Sequence, residues 1–252
     1  PVVAQRIDRV RSERRRLESL LSELGGTPLE SGGNFVLGRF VRASIVADLL
    51  AGCGISVRRF PATSGLSSYL RITCPGDEEK FGRLCASLRS CMRPQAILFD
   101  MDSVLADVSS ICGRDGGPAP WQSERCLITA HALRSLANRV PLAIVTGRTR
   151  RDAERFLQRN ALHDCFSRLV CMEDAPPKPD PAPLRLAMSQ LGVRNGWYVG
   201  NSRDDVAAAR AAEMVPIGCL SPSDDESTAR SLLAAGAGVV LSNINELPEL
   251  LP

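Results

Sequence analysis

The chain has 252 residues, of which 44% are hydrophobic, 23% charged and 4% aromatic, and its formal net charge is +3. This composition is typical of a globular protein, and the small net charge argues against a dedicated nucleic-acid binder. The sequence has no run of 18 apolar residues, no signal-peptide pattern and no CxxC pair among its nine cysteines. We therefore expect no membrane span, no zinc ribbon and reduced thiols in a cytoplasmic protein.

Charge and pattern divide the chain into two predicted domains, residues 1–93 and 94–252. The first carries 15 basic and 9 acidic side chains, and the second carries 16 basic and 19 acidic ones. A helical pattern ends near Pro94, where an apolar strand begins, so we place the boundary there.

The first domain opens with an amphipathic helix, because apolar residues recur at three- and four-residue steps from Val3 to Leu24. Gly25 and Gly26 end this helix, and its arginines are interpreted as its solvent-exposed side rather than as a nucleic-acid patch. Further patterns predict strands at 34–40, 55–60 and 69–74 and helices at 43–52 and 77–88. The sequence therefore predicts a small α+β domain.

Strands and helices alternate along the second domain, which predicts an α/β fold with a doubly wound parallel sheet. The predicted strands are 96–99, 142–145, 168–171, 197–199, 216–219 and 239–241. The predicted helices are 123–138, 150–160, 182–191, 204–212 and 226–235. In such a sheet ligands bind at the carboxyl ends of the strands, near a switch in strand order, so a site is expected there.

Two carboxylates, Asp100 and Asp102, follow the first strand of this domain. In an extended chain they would point to the same side, where they could bind magnesium. One could act as a nucleophile while the other carries protons. By itself this pattern is weak, because many loops contain it.

Polar groups also follow three later strands. Thr146 and Gly147 lie where a helix start favours phosphate, although Thr146 taken alone is better interpreted as an ordinary N-cap. Lys178 lies between two prolines, which favours a fixed charge over a freely solvated one. The fourth strand ends in residues 200–205, whose Asp204 and Asp205 are also typical of a helix N-terminus.

Taken in order, these four strand ends resemble the motifs of the haloacid dehalogenase-like hydrolase superfamily, subfamily IA. The resemblance implies a Rossmann-like core and a Mg²⁺-dependent phosphohydrolase. It implies that Asp100 attacks phosphorus to form an aspartyl-phosphate, and that Asp102 protonates the leaving oxygen and later activates water. Thr146, Gly147 and Lys178 would bind the transferring phosphoryl group. The carboxylate at Asp102 favours a phosphatase over a dehalogenase.

The same resemblance implies a metal site. The side chain of Asp100 and the main-chain carbonyl of Asp102 would bind Mg²⁺, with Asn201 and Asp205 as further ligands. The family usually has aspartate at the position of Asn201, so one negative charge is missing. Asp204 or Asp205 would have to compensate for it.

The cap is predicted to be truncated. Asp100 and Thr146 are only 46 positions apart, which leaves little room for the helical cap of this subfamily. Residues 113–121 have no helical apolar period and read as an irregular loop. We expect either an open sheet edge over Asp100 or a sequence that skips residues here.

The first domain resembles the small domain of fold-type I aminotransferases, in particular histidinol-phosphate aminotransferases. Residues 31–37, 55–60 and 69–73 carry the resemblance. The large domain and its pyridoxal-phosphate lysine are absent from this sequence, so we expect no pyridoxal phosphate on this chain alone. Arg71 matches the family's carboxylate-binding arginine, but a solvated strand arginine explains it equally well.

These observations predict a phosphatase for a small phosphorylated metabolite. The neighbouring aminotransferase-like domain suggests histidinol phosphate, and thus histidine biosynthesis. The alternative is a weak or inactive remnant with an interaction or regulatory role. Besides the substrate, we expect no nucleic-acid or membrane partner, and either a homodimer or a partner chain that supplies a lid.

Overall fold

The computed structural model describes residues 2–108 and 124–251. The chain forms two compact units, Pro1–Arg93 and Pro94–Pro252. Among the described residues, no helix combines the length and the apolar character needed to cross a membrane.

The first unit packs three helices with a three-stranded antiparallel sheet. Its first helix buries Leu17, Leu20 and Leu21 and ends before Gly25, whose φ of +86° suits glycine. The strand order is β1-β2-β3. The elements are α1 (Val2–Glu23), β1 (Thr27–Leu29), β2 (Phe35–Arg39), α2 (Ala43–Gly52), β3 (Tyr69–Thr73) and α3 (Glu78–Met92).

The strand predicted at 55–60 is reduced to one bridge, between Arg58 and Arg71 of β3. None of residues 55–60 is fully buried, so burial of one face does little to fix this segment in register with the sheet. Pro61 then follows, and proline has no N–H to extend a ladder. Arg71 itself stacks over the Phe35 ring, with 5.4 Å between its guanidinium carbon and the ring centroid.

The second unit is built on a six-stranded parallel sheet of order β11-β10-β9-β4-β7-β8. Along the chain, β7 and β8 are added on one side of β4, and β9, β10 and β11 are then added on its other side. The strand order therefore reverses between β4 and β9, where a ligand site is expected. The six strands of this sheet are β4 (Ile97–Phe99), β7 (Leu142–Val145), β8 (Arg168–Val170), β9 (Trp197–Gly200), β10 (Val215–Cys219) and β11 (Val239–Leu241). Two further short strands, β5 (Ala106–Asp107) and β6 (Arg125–Cys126), form a separate sheet.

The helices of the second unit follow the predicted alternation. They are α4 (Ala130–Ala137), α5 (Arg150–Arg159), α6 (Ala182–Leu191), α7 (Arg203–Ala211), α8 (Glu226–Ala235) and α9 (Leu247–Leu250). The helix predicted at 123–138 is shorter than expected, because the Thr129 side chain caps its start by accepting from the backbone N–H of Ala132. The residues before it form β6, which pairs antiparallel with β5. The irregular loop predicted at 113–121 lies outside the described residues.

Candidate active site

The register of the parallel strands aligns their polar carboxyl ends side by side at one edge of the sheet. In β4, Phe99 pairs with Ile144 of β7 on one side and Val199 of β9 on the other. Asp100 therefore lies level with the residue before Thr146 and with Gly200. Its backbone N–H donates to the Val199 carbonyl at 2.8 Å, so the strand pairing continues to Asp100 itself.

Lys178 reaches this point from the loop after β8. Its Nζ lies 2.7 Å from Asp100 Oδ1 and 2.6 Å from Asp205 Oδ1. It also donates to the Tyr198 hydroxyl at 2.7 Å. The side chain is 14% exposed, so this cluster of one cation and two carboxylates is largely shielded from water. Direct charge neutralisation at Asp100 needs such near-contact geometry.

Asp205 is the anchor of this cluster. Its Oδ1 accepts from Lys178 and from the Tyr198 hydroxyl at 3.1 Å. Its Oδ2 accepts from the backbone N–H groups of Asn201 and Ser202 and from the Ser202 hydroxyl, at 2.7–3.1 Å. Because both oxygens are engaged within the protein, these contacts favour a positioning role for Asp205. Its role as a metal ligand stays a prediction.

Gly200 makes room for that carboxylate. A Cβ at this position would lie 2.3 Å from Asp205 Cβ and 2.7 Å from its Oδ2. Ser202 and Asp205 form a capping box at the start of α7, each side chain accepting from the backbone N–H of the other. The sequence GNSRDD thus serves two purposes, since it starts a helix and turns a carboxylate inward.

The cluster sets the protonation of its members. Burial raises the pKa of the Asp100 carboxyl to about 7, against the opposing effect of the Lys178 ammonium. Burial alone would lower the pKa of Lys178, but the carboxylates of Asp100 and Asp205 outweigh it and hold that pKa above its ordinary value. Burial, and then Asp205, raise the pKa of Tyr198 well above its ordinary value. Lys178 is therefore cationic and Tyr198 neutral at physiological pH.

A cavity of about 410 Å³ opens over this cluster. Its polar lining includes Asp100, Thr146, Lys178, Asn201 and Asp204, and Gly147 also lines it. Residues 175–177 and Met172 contribute an apolar wall. The structure thus brings together Asp100, Thr146, Gly147, Lys178 and Asn201, whose individual roles stay predictions.

Asp102 is not among the residues that line this cavity. Ser103 has a φ of +61°, so the chain turns directly after Asp102 and does not stay extended. The Asp102 carboxylate instead pairs with Arg148, whose Nε donates to Asp102 Oδ1 at 2.6 Å. Asp102 is still close enough to Asp100 that its charge contributes to the raised pKa of Asp100.

Sequence reasoning missed Tyr198 and Arg148. Tyr198 is the one residue with a side-chain hydroxyl in the apolar strand β9, and it lies two positions before Gly200. Arg148 follows Thr146-Gly147 directly, so it shares the loop of a predicted phosphate ligand. Both signals are present in the sequence, but only the folded contacts show their partners.

The donors present suit a magnesium ion. No cluster of three or more His, Cys, Asp or Glu side chains that could hold a metal occurs within residues 2–108 and 124–251. Mg²⁺, however, needs only one or two carboxylates, and it keeps waters and substrate oxygens as its other ligands. Asp100 and the Asn201 amide line the same cavity, and no described residue hydrogen-bonds the Asn201 side chain. The donor set therefore fits Mg²⁺ with few protein ligands.

Residues 128–218 match the family "haloacid dehalogenase-like hydrolase". This match lies within the second unit and confirms its resemblance to these hydrolases, while the parallel sheet confirms the predicted Rossmann-like fold. A HAD family hydrolase from Deinococcus radiodurans, solved with phosphate and sodium, shares this fold at a TM-score of 0.51 and 23% identity. The similarity covers 62% of this chain and 97% of that one.

Three relatives match parts of the sequence. An imidazoleglycerol-phosphate dehydratase from Phytophthora nicotianae is 37% identical over 51% of this chain and 32% of its own length. A phosphoglycolate phosphatase from Neisseria meningitidis is 41% identical over 32% of this chain and 34% of its own. A histidinol-phosphate aminotransferase from Xylella fastidiosa is 40% identical over 35% of this chain and 24% of its own. The chain thus spans about a third or less of the length of these relatives.

Proposed function

We propose that the second unit is a Mg²⁺-dependent phosphatase that acts through an aspartyl-phosphate. The observation that carries this proposal is the 2.7 Å contact between Lys178 Nζ and Asp100 Oδ1, at the floor of the cavity on the carboxyl edge of the sheet. A buried carboxylate beside a fixed cation is what a phosphoryl-accepting nucleophile requires. The phosphatase name of the Neisseria relative supports the same reaction class.

The first half of the reaction transfers the phosphoryl group to Asp100. Lys178 holds Oδ1, and no described residue donates a hydrogen bond to Oδ2, which attacks phosphorus. A P–O bond to Asp100 forms while the bond to the leaving oxygen breaks, and Asp102 gives that oxygen a proton. Thr146 and the Gly147 N–H bind the phosphoryl oxygens. Mg²⁺, when bound, supplies positive charge that balances the phosphoryl group.

The second half releases phosphate. Asp102, now ionised, takes a proton from water as the water oxygen attacks phosphorus. The bond between phosphorus and Asp100 breaks, which leaves the Asp100 carboxylate, a protonated Asp102 and inorganic phosphate. Lys178 stays protonated throughout, because two carboxylates surround it.

For the substrate, we propose a small phosphate ester with a cationic or neutral organic part, and histidinol phosphate first. Lys178 is the one basic side chain among the described residues that line the cavity, and it is already paired. Asp204 adds an exposed carboxylate to that lining. An ammonium group suits this environment better than a second carboxylate such as that of phosphoglycolate. The names of the aminotransferase and dehydratase relatives also support histidinol phosphate.

The test is phosphate release from histidinol phosphate, phosphoglycolate and p-nitrophenyl phosphate in the presence of Mg²⁺. Asp100→Asn should lower each rate by at least about 10³-fold, because the nucleophile is lost. Asp164 is exposed, so Asp164→Asn is the matched control and should leave all three rates of phosphate release unchanged. Better turnover of phosphoglycolate than of histidinol phosphate would overturn the substrate but keep the reaction class.

An inactive wild-type chain would overturn the phosphatase. The observation that favours this alternative is Asn201, which lacks the charge that the family's aspartate provides. A weak or inactive protein with an interaction or regulatory role would then be the better description of both units.

A further inference from the structure

One arginine in the second unit bridges two carboxylates outside the Lys178 cluster. Arg148 Nε lies 2.6 Å from Asp102 Oδ1, and its Nη2 lies 2.5 Å from the same oxygen. On its other side, Nη1 donates to Glu124 Oε2 at 3.0 Å. The side chains of Arg148 and Glu124 are 11% and 9% exposed, whereas that of Asp102 is 46% exposed.

Arg148 is itself firmly held. Its guanidinium lies over the Phe156 ring, 5.7 Å from the centroid, and its backbone N–H donates to Thr146 Oγ1 at 3.2 Å. Its carbonyl accepts from the Met172 N–H at 3.1 Å. A half-exposed carboxylate is thus held by a cation that packing and hydrogen bonds have already fixed, unlike a pair of two mobile surface side chains.

The two carboxylate oxygens of Asp102 differ in their hydrogen-bond partners. Two donors of the guanidinium converge on Oδ1, and no described residue donates to Oδ2. An acid that delivers a proton needs one oxygen free to carry it and a fixed carboxyl plane to aim it. The Arg148 fork meets both needs, since it fixes one oxygen and leaves the other available.

We propose that Arg148 is a positioning residue for the proton-transfer step, holding Asp102 Oδ1 so that Oδ2 faces the leaving oxygen. Glu124, the residue before β6, supports it by fixing the other side of the guanidinium. This inference rests on the proposed phosphatase reaction. It predicts that loss of Arg148 lowers the rate most for substrates whose leaving oxygen must be protonated.

The experiment compares two substrates that differ in leaving group. p-Nitrophenyl phosphate releases a phenolate that needs little help from an acid, whereas β-glycerophosphate releases an alkoxide that must be protonated. We measure kcat/KM, which reports the steps up to release of the leaving group and excludes hydrolysis of the aspartyl-phosphate. Arg148→Met should lower kcat/KM for β-glycerophosphate about 10²-fold and that for p-nitrophenyl phosphate less than about threefold. Arg148→Lys should restore part of the loss.

Arg125→Met is the matched control. Arg125 also pairs with a carboxylate, Asp107, at 2.7 Å, but its side chain is 76% exposed and it does not contact Asp102. Arg125→Met should leave kcat/KM for both substrates unchanged. If Arg148→Met fails to fold, Glu124→Gln carries the test, because it keeps the shape and removes the charge. Glu124→Gln should lower kcat/KM for β-glycerophosphate, relative to that for p-nitrophenyl phosphate, by roughly threefold.

If Arg148→Met or Glu124→Gln lowers kcat/KM equally for both substrates, or for neither, the positioning role is wrong. The proposed phosphatase activity would not be affected by that result. A wild-type chain that hydrolyses neither ester would overturn the phosphatase and this inference with it. The selective loss on β-glycerophosphate, shared with Asp102→Asn, would support the inference.

Discussion

Charged side chains pair at the surface in both units, but the second unit also pairs them in its interior. In the first unit, Arg16 and Glu78 lie 2.9 Å apart with exposed fractions of 51% and 65%. In the second, Lys178 and Asp100 lie 2.7 Å apart, but those side chains are only 14% and 10% exposed. The same type of contact therefore has different consequences, since surface pairs contribute little and buried pairs cannot lose one partner without cost.

The sheet topology explains this difference. In the parallel sheet, the carboxyl ends of β4, β7, β8 and β9 meet at one edge, so polar groups from distant parts of the chain converge. The antiparallel sheet of the first unit sends alternate strand ends in opposite directions and gathers no such cluster. Arg71 illustrates this, because its Nε is buried without a hydrogen-bond partner among the described residues. Among the described residues, the cluster of converging polar strand ends therefore lies in the second unit.

The two lysines give the sharpest test of this comparison. Lys178→Gln should lower kcat by about 10²–10³-fold, because it removes a fixed charge from the phosphoryl site. It should also destabilise the protein by about 3 kcal/mol, since Asp100 and Asp205 lose their cation. Lys80→Gln, at an exposed position of α3, should affect neither quantity. Phosphate release and urea unfolding measure both, and equal effects of the two changes would contradict the comparison.

Gly200→Ala should destabilise the second unit by about 3 kcal/mol, because its Cβ would overlap the Asp205 carboxyl group. Gly147→Ala is the matched control for stability, since a Cβ there meets no atom within 4 Å. Urea unfolding checks both. A stable Gly200→Ala protein would show that Asp205 can move without loss, and that the inward carboxylate does not hold the site together.

Asn201→Asp should tighten Mg²⁺ binding by roughly tenfold, because it returns a charged oxygen to the cavity. Calorimetric titration with Mg²⁺ measures this without relying on turnover. Asn34→Asp adds the same charge to the first unit and should leave the affinity unchanged. Unchanged affinity in the Asn201 variant would indicate that Asp204 or Asp205 already supplies the missing charge.

The smallest expected effect lies in the first unit. Gly82 is exposed within α3, and a Cβ there meets no atom within 4 Å. Gly82→Ala should stabilise the unit by about 0.5–1 kcal/mol, because it lowers the entropy of the unfolded chain. Thermal unfolding measures the shift, while phosphate release should stay the same. A loss of stability would show that this helix face is packed rather than free.

Much of the local structure follows from the sequence. The helices Ala43–Gly52, Ala182–Leu191 and Glu226–Ala235 have the predicted bounds. Two of them end at glycines with positive φ, Gly192 at +68° and Gly236 at +105°, which is a strong local stop signal. The strands β5 and β6 were not predictable, because two residues are too few for an apolar pattern.

The strand ends that carry polar groups can be predicted from the sequence, because β–α alternation and adjacent motifs are local properties. The same pattern predicts that Asp100, Thr146, Lys178 and Asn201 lie at one edge of the sheet. The partner of each carboxylate, by contrast, depends on tertiary packing. Asp205 turns inward because Gly200 leaves it space and Lys178 meets it, and Asp102 turns to Arg148 because the chain bends at Ser103. These partners lie 27 and 46 positions away along the chain, and such distant pairings are set by packing rather than by local pattern.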